Sequence, residues 1–364
     1  MESKIRVLLA APSSGYLGGQ AIQAARMLDE FRRDGRLDVS FQPHDPSLGP
    51  LSFLTRIKFV RTVAREAAYV AQLLWKIPRV DVVHTFSASY WSFALAPAPA
   101  IWVGKLMGTP VIVNYRSGEA LDHLTHWPRT AHPALRAASA IAVSSGYLVD
   151  VFAQFGFAAE AIPNVIRLDQ FRWRKRDPLR PVFLSNRNFE AHYDVANTLR
   201  AFALISRQVP EATLTVAGDG PERGSLETLA ESLALRNVRF VGPVANAKMP
   251  ELYEAADVYL NSSRIDNMPG SLIEAFASGL PVVTTNAGGI PWMVEEGSTG
   301  LLVECGDPEA MAAAALRLLA DGQLAARIAG RAREEAERYT WAAVSRQWEA
   351  LYRRVAEKRG KETA

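Results

Sequence analysis

The sequence predicts an α/β protein built on two doubly wound parallel sheets. Short apolar runs recur along the chain, and each is followed by a stretch at helical spacing. The runs lack polar alternation, as strands buried on both faces require. The pattern also breaks once, at the basic stretch "LDQFRWRKRDPLRP" (168–181), and then starts again.

The elements follow in order. Ile5–Ala10 reads as a strand, Ala11–Gly19 as a loop and Gln20–Arg33 as a helix. Residues 51–76 read as an amphipathic helix. Val60, Val63, Ala67, Val70 and Leu74 share one face, and Lys58, Arg61 and Arg65 another. The first reading packs its apolar face on the sheet; the second docks the helix on anionic lipid or has it capture a lipid-phosphate acceptor. Asp81–His84, Pro110–Tyr115 and Ala140–Val143 read as further strands. His84 reads as a polar contact at a strand end, the alternative being a place on the acceptor side. Past Arg180 the strands are Val182–Leu184, Ala212–Ala217, Val238–Val241, Val258–Leu260, Pro281–Thr284 and Gly300–Val303. "TWAAVSRQWEALYRRV", from Thr340, is a helix with Trp341, Val344, Trp348 and Leu351 on one side. The expected domains are 1–167 and 182–340, joined by a linker at 168–181, with helix 341–358 returning to the first.

Composition narrows the function classes. The 364 residues are 49% hydrophobic and 22% charged, which suits a soluble globular protein. A single cysteine, Cys305, allows no intrachain disulfide and no thiolate zinc cluster, so a reducing, cytoplasmic setting is expected. The run Ile5–Ala10 is too short for a signal peptide and is cut by Arg6. No apolar run reaches the roughly 18 residues that a membrane span needs. Charge is uneven. Residues 1–180 hold 22 Lys and Arg against 14 Asp and Glu, and residues 181–364 hold 19 against 24. The basic front half suits a phosphate-bearing acceptor or a peripheral place on the inner face of an anionic membrane. Nucleic acid is disfavoured, because the basic residues are scattered and no recognition motif accompanies them.

Parallel sheets bind ligands beyond the carboxyl ends of their strands. The first strand runs into "APSSGYLGGQ", where Gly18 and Gly19 precede a helix and let backbone approach an anion. This is neither a dinucleotide fingerprint nor a P-loop. In the second half, Arg187 follows a strand, where a guanidinium can grip phosphate oxygens. Gly218 and Gly220 follow the next strand, and Gly288 and Gly289 a later one. "SSRIDNMPGSLIEAFASGLPVV" (262–283) sets Asp266 and Glu274 around a helix start. Ser271-Leu-Ile-Glu274 fits a capping box, which needs no ligand. It equally fits backbone amides aimed at a diphosphate, with Glu274 on vicinal hydroxyls and Asp266 farther along the ligand. The residues leave both readings open.

Seven segments, "SNRNFEAHYDVANTLRAF", "VAGDGPERGSLETLA", "VRFVGPV", "MPELYEAADVYLNSS", "DNMPGSLIEAFASGLPVV", "GGIPWMVEEGSTGLLV" and "YTWAAVSRQWEALY", together resemble the retaining, GT-B-fold glycosyltransferases of family 4. They cover nearly all of residues 182–352. The first half matches more loosely, through Gly18-Gly19, "DVVHTFSASY" and "IPNVIRLDQF". The resemblance implies two Rossmann-like domains facing a cleft and transfer from a nucleotide diphosphate sugar, a UDP- or GDP-sugar, as substrate. It implies no further cofactor and no required metal. Asp266 and Glu274 occupy the family's acidic-x7-Glu positions, so Glu274 would bind ribose and Asp266 face the donor sugar. The implied donor set is Gly18, Gly19, Arg187, Tyr193, Gly218, Asn267, Gly270, Ser271, Leu272 and Glu274. Tyr193 stands where the family has a phosphate-binding lysine. Arg116 stands where the first domain commonly has histidine, with Glu119, Asp122 and His123 beside it; Arg116 and Glu119 are the catalytic candidates there. The acceptor would be a glycan, a lipid-linked molecule or a small molecule, in cell-surface polysaccharide or glycolipid synthesis.

Sugar transfer asks for a stabilised leaving diphosphate, support for an oxocarbenium-like centre and a placed acceptor hydroxyl. The sequence holds no Asp-x-Asp pair, no metal-ligand cluster and no Ser-His-Asp arrangement. The expected mechanism is front-face attack, in which the leaving phosphate oxygen takes the acceptor proton and no protein nucleophile is needed. The rivals are a sugar-nucleotide epimerase or hydrolase, and a nonenzymatic sugar-nucleotide binding protein.

Overall fold

A computed structural model describes residues 4–13, 19–49 and 58–362. The chain forms two compact units, Met1–Val165 with Val344–Ala364, and Ile166–Ala343. Among the described residues, no helix is long and apolar enough to cross a membrane.

The first unit carries six strands: β1 (Arg6–Ala11), β2 (Asp38–Pro43), β3 (Val82–Ser87), β4 (Val111–Tyr115), β5 (Ala140–Val143) and β6 (Glu160–Ala161). They pair in the order β2-β1-β3-β4-β5-β6, all parallel. Neighbouring residues of one strand serve opposite faces. Leu8 and Val83 join the core under the helices Lys58–Lys76, Pro97–Leu106 and Gly146–Gln154. On the other face, His84 stacks on Trp348 of the helix Trp341–Glu362, with ring centres 4.5 Å apart. That helix also buries Val344, Leu351 and Tyr352. His84 is therefore a core residue, its Nδ1 2.6 Å from the Tyr352 hydroxyl.

The second unit carries β7 (Val182–Ser185), β8 (Thr213–Ala217), β9 (Val238–Gly242), β10 (Val258–Asn261), β11 (Val282–Thr285) and β12 (Leu301–Val303). Their order is β12-β11-β10-β7-β8-β9, again parallel throughout. Phe183, Val258 and Val283 feed one core, and Leu184, Tyr259 and Val282 the other. Apolar residues on both faces explain the unbroken runs.

The basic stretch 168–181 is held on this second unit. Asp257, fully buried just before β10, accepts hydrogen bonds from the Arg180 amide at 2.7 Å, from two of its guanidinium nitrogens, and from Arg174. Arg176 is buried too and donates to the carbonyls of Tyr253, Ala256 and Ser278. One buried carboxylate thus orders a stretch whose sequence carries neither strand nor helix pattern.

The helix Lys58–Lys76 is turned differently from the first sequence reading. Tyr69 and Leu73 point into the core, whereas Val60, Val63 and Leu74 are exposed. Tyr69 and Leu73 fill the space over the sheet, so Val60, Val63 and Leu74 lie on the other side of the helix.

The strand order places a topological switch in each sheet. In the second unit the chain runs outward from β7 through β8 to β9, then returns to β10 on the other side of β7. A crevice opens at such a point, beyond the carboxyl ends of the two strands.

Candidate active site

Arg187 lies just past β7, and Asp266 past β10. The two meet over the switch point. Arg187 Nη2 donates to Asp266 Oδ2 at 2.5 Å, and Nη1 donates to Ser271 Oγ at 3.1 Å. The guanidinium also lies over the Tyr193 ring, 4.0 Å from its centre. Its Nε is buried without a hydrogen-bond partner. Burial works against the charge, but the Asp266 carboxylate outweighs it and holds Arg187 more firmly protonated than usual. The result is a fixed, nearly dry cation with an unused donor.

Asp266 is tied down from three further directions. It accepts from Ser263 Oγ at 3.2 Å and from the Asn267 amide at 2.9 Å, and its carbonyl accepts from the Gly289 amide at 3.1 Å. A Cβ on Gly289 would sit 2.2 Å from the Asn267 carbonyl oxygen. Close approach of two loop backbones is therefore the reason for glycine there. The same holds at Gly218, where a Cβ would fall 2.2 Å from the Arg187 carbonyl oxygen. Gly218 shapes the Arg187 loop by its packing.

The helix Gly270–Ser278 starts beside this pair, with Pro269 as its N-cap and no side-chain capping bond. Ser271 is inside the helix and takes Arg187, so the capping-box reading does not hold. Glu274 Oε2 accepts from the Tyr253 hydroxyl at 3.0 Å. Tyr253 also reaches the Ser271 carbonyl at 3.2 Å and accepts from Asn186 Nδ2 at 2.7 Å. Burial and the Glu274 charge push its phenol well above the usual range, so it stays a neutral donor. Asn267, Leu272 and Glu274 are all buried around the helix start. Tyr253, Asn186 and Ser263 escape the sequence reading. Tyr253 sits on the buried side of the helix Met249–Ala255, and its only sequence signal is an ordinary core position.

In the first unit, Gly19 is the first residue of the helix Gly19–Asp34. Gly18 lies outside the described residues. Arg116 follows β4 and is buried. Its Nε donates to Asn114 Oδ1 at 2.9 Å, Nη1 donates to Asn164 Oδ1, and the guanidinium lies over Phe86. Its Nη2 is buried without a partner. Burial lowers the Arg116 pKa to about 9. Glu119 is half-buried, and no ion pair joins it to Arg116. Asp122 instead accepts from the Tyr90 hydroxyl and lies 3.0 Å from His126. His123 is fully buried against Tyr115, and burial lowers its pKa to about 4. The candidates of this half therefore do not converge as a cluster; Arg116 Nη2 and His123 Nε2 are each buried without a partner. Among the described residues, no three His, Cys, Asp or Glu side chains group as metal ligands.

The chain is similar to several known proteins. The family model described as glycosyl transferases group 1 matches residues 169–335. D-inositol 3-phosphate glycosyltransferase of Corynebacterium urealyticum is 37% identical over 163 residues, 43% of this chain and 38% of that protein. Sulfoquinovosyl transferase of Arabidopsis thaliana is 28% identical over 295 residues, 73% of this chain and 55% of that protein. The chain thus spans about two fifths to just over half of these relatives' lengths. Among solved structures, Anabaena HepE in complex with UDP and glucose superimposes with a TM-score of 0.74 at 19% identity, over 95% of this chain and 99% of that one. Sucrose-phosphate synthase from Thermosynechococcus elongatus gives 0.76 at 22% identity, over 97% and 99%. The fold is GT-B, with a Rossmann-like sheet in each unit.

Proposed function

Because residues 169–335 match the family model described as glycosyl transferases group 1, we propose that this chain moves a sugar from a UDP- or GDP-sugar to an acceptor hydroxyl, retaining the anomeric configuration and requiring no metal. The observation that carries the reading is Arg187: a buried cation with an unpartnered Nε, set at a switch point beside a helix start. A diphosphate is the ligand such a site suits. The guanidinium and the first-turn amides of Gly270–Ser278 meet its charge without reorganising.

Each residue then has a task. Asp266 keeps Arg187 charged in a dry site and turns to the donor sugar's hydroxyls when phosphate takes the guanidinium. Glu274, oriented by Tyr253, accepts the ribose hydroxyls. Tyr193 covers the guanidinium face and supplies no charge. Arg116 offers its spare N–H on the acceptor side, with Glu119 nearby in sequence. Chemistry proceeds on one face of the sugar. The bond from the anomeric carbon to the diphosphate oxygen breaks, the acceptor oxygen bonds from that same side, and its proton passes to the departing phosphate oxygen. Arg187 stabilises the charge that gathers there.

Donor and acceptor classes draw on the relatives. HepE was captured with UDP and glucose, which favours a UDP-sugar. The transferase named above for inositol 3-phosphate favours a small phosphorylated acceptor, with a lipid-linked molecule and a glycan as the other options. Work in the cytoplasm, at the membrane's inner face and in cell-surface polysaccharide or glycolipid synthesis, belongs to the same reading.

A thermal-shift panel of UDP, GDP, ADP and their sugars tests it. One nucleoside diphosphate raises the melting temperature, and Glu274→Ala removes most of that rise. Product analysis with and without acceptor follows. Free sugar formed at the same rate with or without acceptor would make the protein a hydrolase, and a panel without any shift would remove the donor site altogether.

A further inference from the structure

The helix Lys58–Lys76 buries Tyr69 and Leu73 completely, yet its outward side is apolar. Val60 is 38% exposed, Val63 70%, Leu74 39% and Trp75 60%. The helix Pro97–Leu106 packs into the same core on the same side of the sheet, and it exposes Trp102 at 44% and Leu106 at 74%. A helix that faces only water places charged residues outward. Here apolar side chains take that place on two helices sharing one side of the first unit. Scattered single residues would need no explanation; a stripe with this repeat does.

Charge identifies the occupant. Arg79 lies over the Trp75 ring, 4.5 Å from its centre, and Lys105 lies 5.6 Å from the centre of Trp102. Residues 58–79 hold five Lys and Arg and a single acid, Glu66. The whole first unit holds 22 Lys and Arg against 15 Asp and Glu. Tryptophan beside a cation suits the headgroup level of a bilayer, where the ring is half-wetted and the cation meets lipid phosphate. We propose that the outward faces of the helices Lys58–Lys76 and Pro97–Leu106 seat this protein on an anionic lipid surface. Val63 and Leu106 enter the acyl boundary, and Arg61, Arg79 and Lys105 pair with headgroups. The seat involves none of the donor-site residues and stands independently of the transfer chemistry.

Vesicle flotation of the full chain tests the seat. The protein floats with vesicles of phosphatidylcholine plus phosphatidylglycerol, at least about tenfold better than with phosphatidylcholine alone, and high salt releases it. The double variant Val63→Asp/Leu106→Asp loses about tenfold or more of that binding, since carboxylates then face the acyl boundary. Both positions are exposed, so the variant folds, and it keeps the wild-type melting temperature. The proposal is overturned if the wild type stays in solution with the anionic vesicles, or if the variant floats equally well. It is also overturned if the variant's one effect is to abolish a concentration-dependent dimer formed without lipid, which would give this face to a second copy of the chain.

Discussion

Arg187 exchanges its hydration for protein: Asp266 at 2.5 Å, Ser271 at 3.1 Å and the Tyr193 ring beneath. Removing one member of such a buried pair leaves the other charged and uncompensated, at a cost of about 3–5 kcal/mol. Arg187→Ala is therefore expected to lower the unfolding midpoint strongly and to abolish the nucleotide-dependent thermal shift. Arg187→Lys keeps a charge, recovers much of the stability and regains little of the shift, because an ammonium cannot hold Asp266, Ser271 and phosphate in one planar fork. Denaturant melts and nucleotide titrations of both variants check this. Equal donor binding by the lysine variant would reduce Arg187 to a point charge. Arg187 is legible in the sequence because a guanidinium directly after a parallel strand has little structural reason to be there. Glu274 is half-legible. Ser-x-x-Glu at a helix start encodes a capping box or a ligand site with the same letters, and only the helix beginning at Gly270 with Pro269 as cap separates them. Tyr253 is not legible, since its hydroxyl finds Glu274 only after two helices pack side by side.

Among the elements, strands buried on both faces are the easiest to read. Residues 140–143 and 258–260 stand in the structure almost residue for residue as the apolar runs suggest. β2 and β6 escape the reading for opposite reasons. β2 (Asp38–Pro43) is an edge strand, half-wetted, with polar residues between its apolar ones. β6 is two residues long, too short for any period. The helix Lys58–Lys76 shows a further limit. Its apolar residues are visible, but which of them face the sheet depends on the space that Tyr69 and Leu73 fill. Loops are positioned by contacts with no sequence period at all. The loop after β11 lies on the loop after β10, with Gly289 against the Asn267 backbone. Gly289→Ala puts a methyl group 2.2 Å from a carbonyl oxygen that is fixed in a loop. The Asp266–Gly270 turn must shift to admit it, which costs about 1–3 kcal/mol. The expected outcome is moderate destabilisation, with donor binding weakened more than stability alone explains. A crystal of the variant with Asp266 unmoved and nucleotide affinity unchanged would show that the loop contact does not govern the site.

Across the whole chain, the two units differ in how they respond to protons. The first holds His44, His84 and His123 against burial; all three pKa values are lowered, to about 4 for His44 and His123 and well below the usual value for His84, which also faces the Arg116 charge. The second unit has one histidine, His192, beside Glu190. The sign follows from proton counting. A histidine held neutral in the folded state takes up its proton near pH 6.5 when unfolded, so the unfolded chain binds more protons between pH 6.5 and 4, and stability falls as pH falls through that window. At about 1.4 kcal/mol for each pKa unit, the fully buried His123 alone withdraws about 3 kcal/mol by pH 4. The first unit should therefore lose stability ahead of the second on mild acidification. Five of the eight tryptophans belong to it, Trp348 in its core among them, so fluorescence reports on it preferentially. Urea melts at pH 7 and pH 4.5 are expected to show the fluorescence midpoint dropping sharply. His123→Gln, which keeps a hydrogen-bond partner for Tyr115 without a titrating ring, recovers part of that drop. Identical acid sensitivity in the variant would mean that His123 gains its proton without cost, and that the buried ring is not what sets the acid limit of this unit.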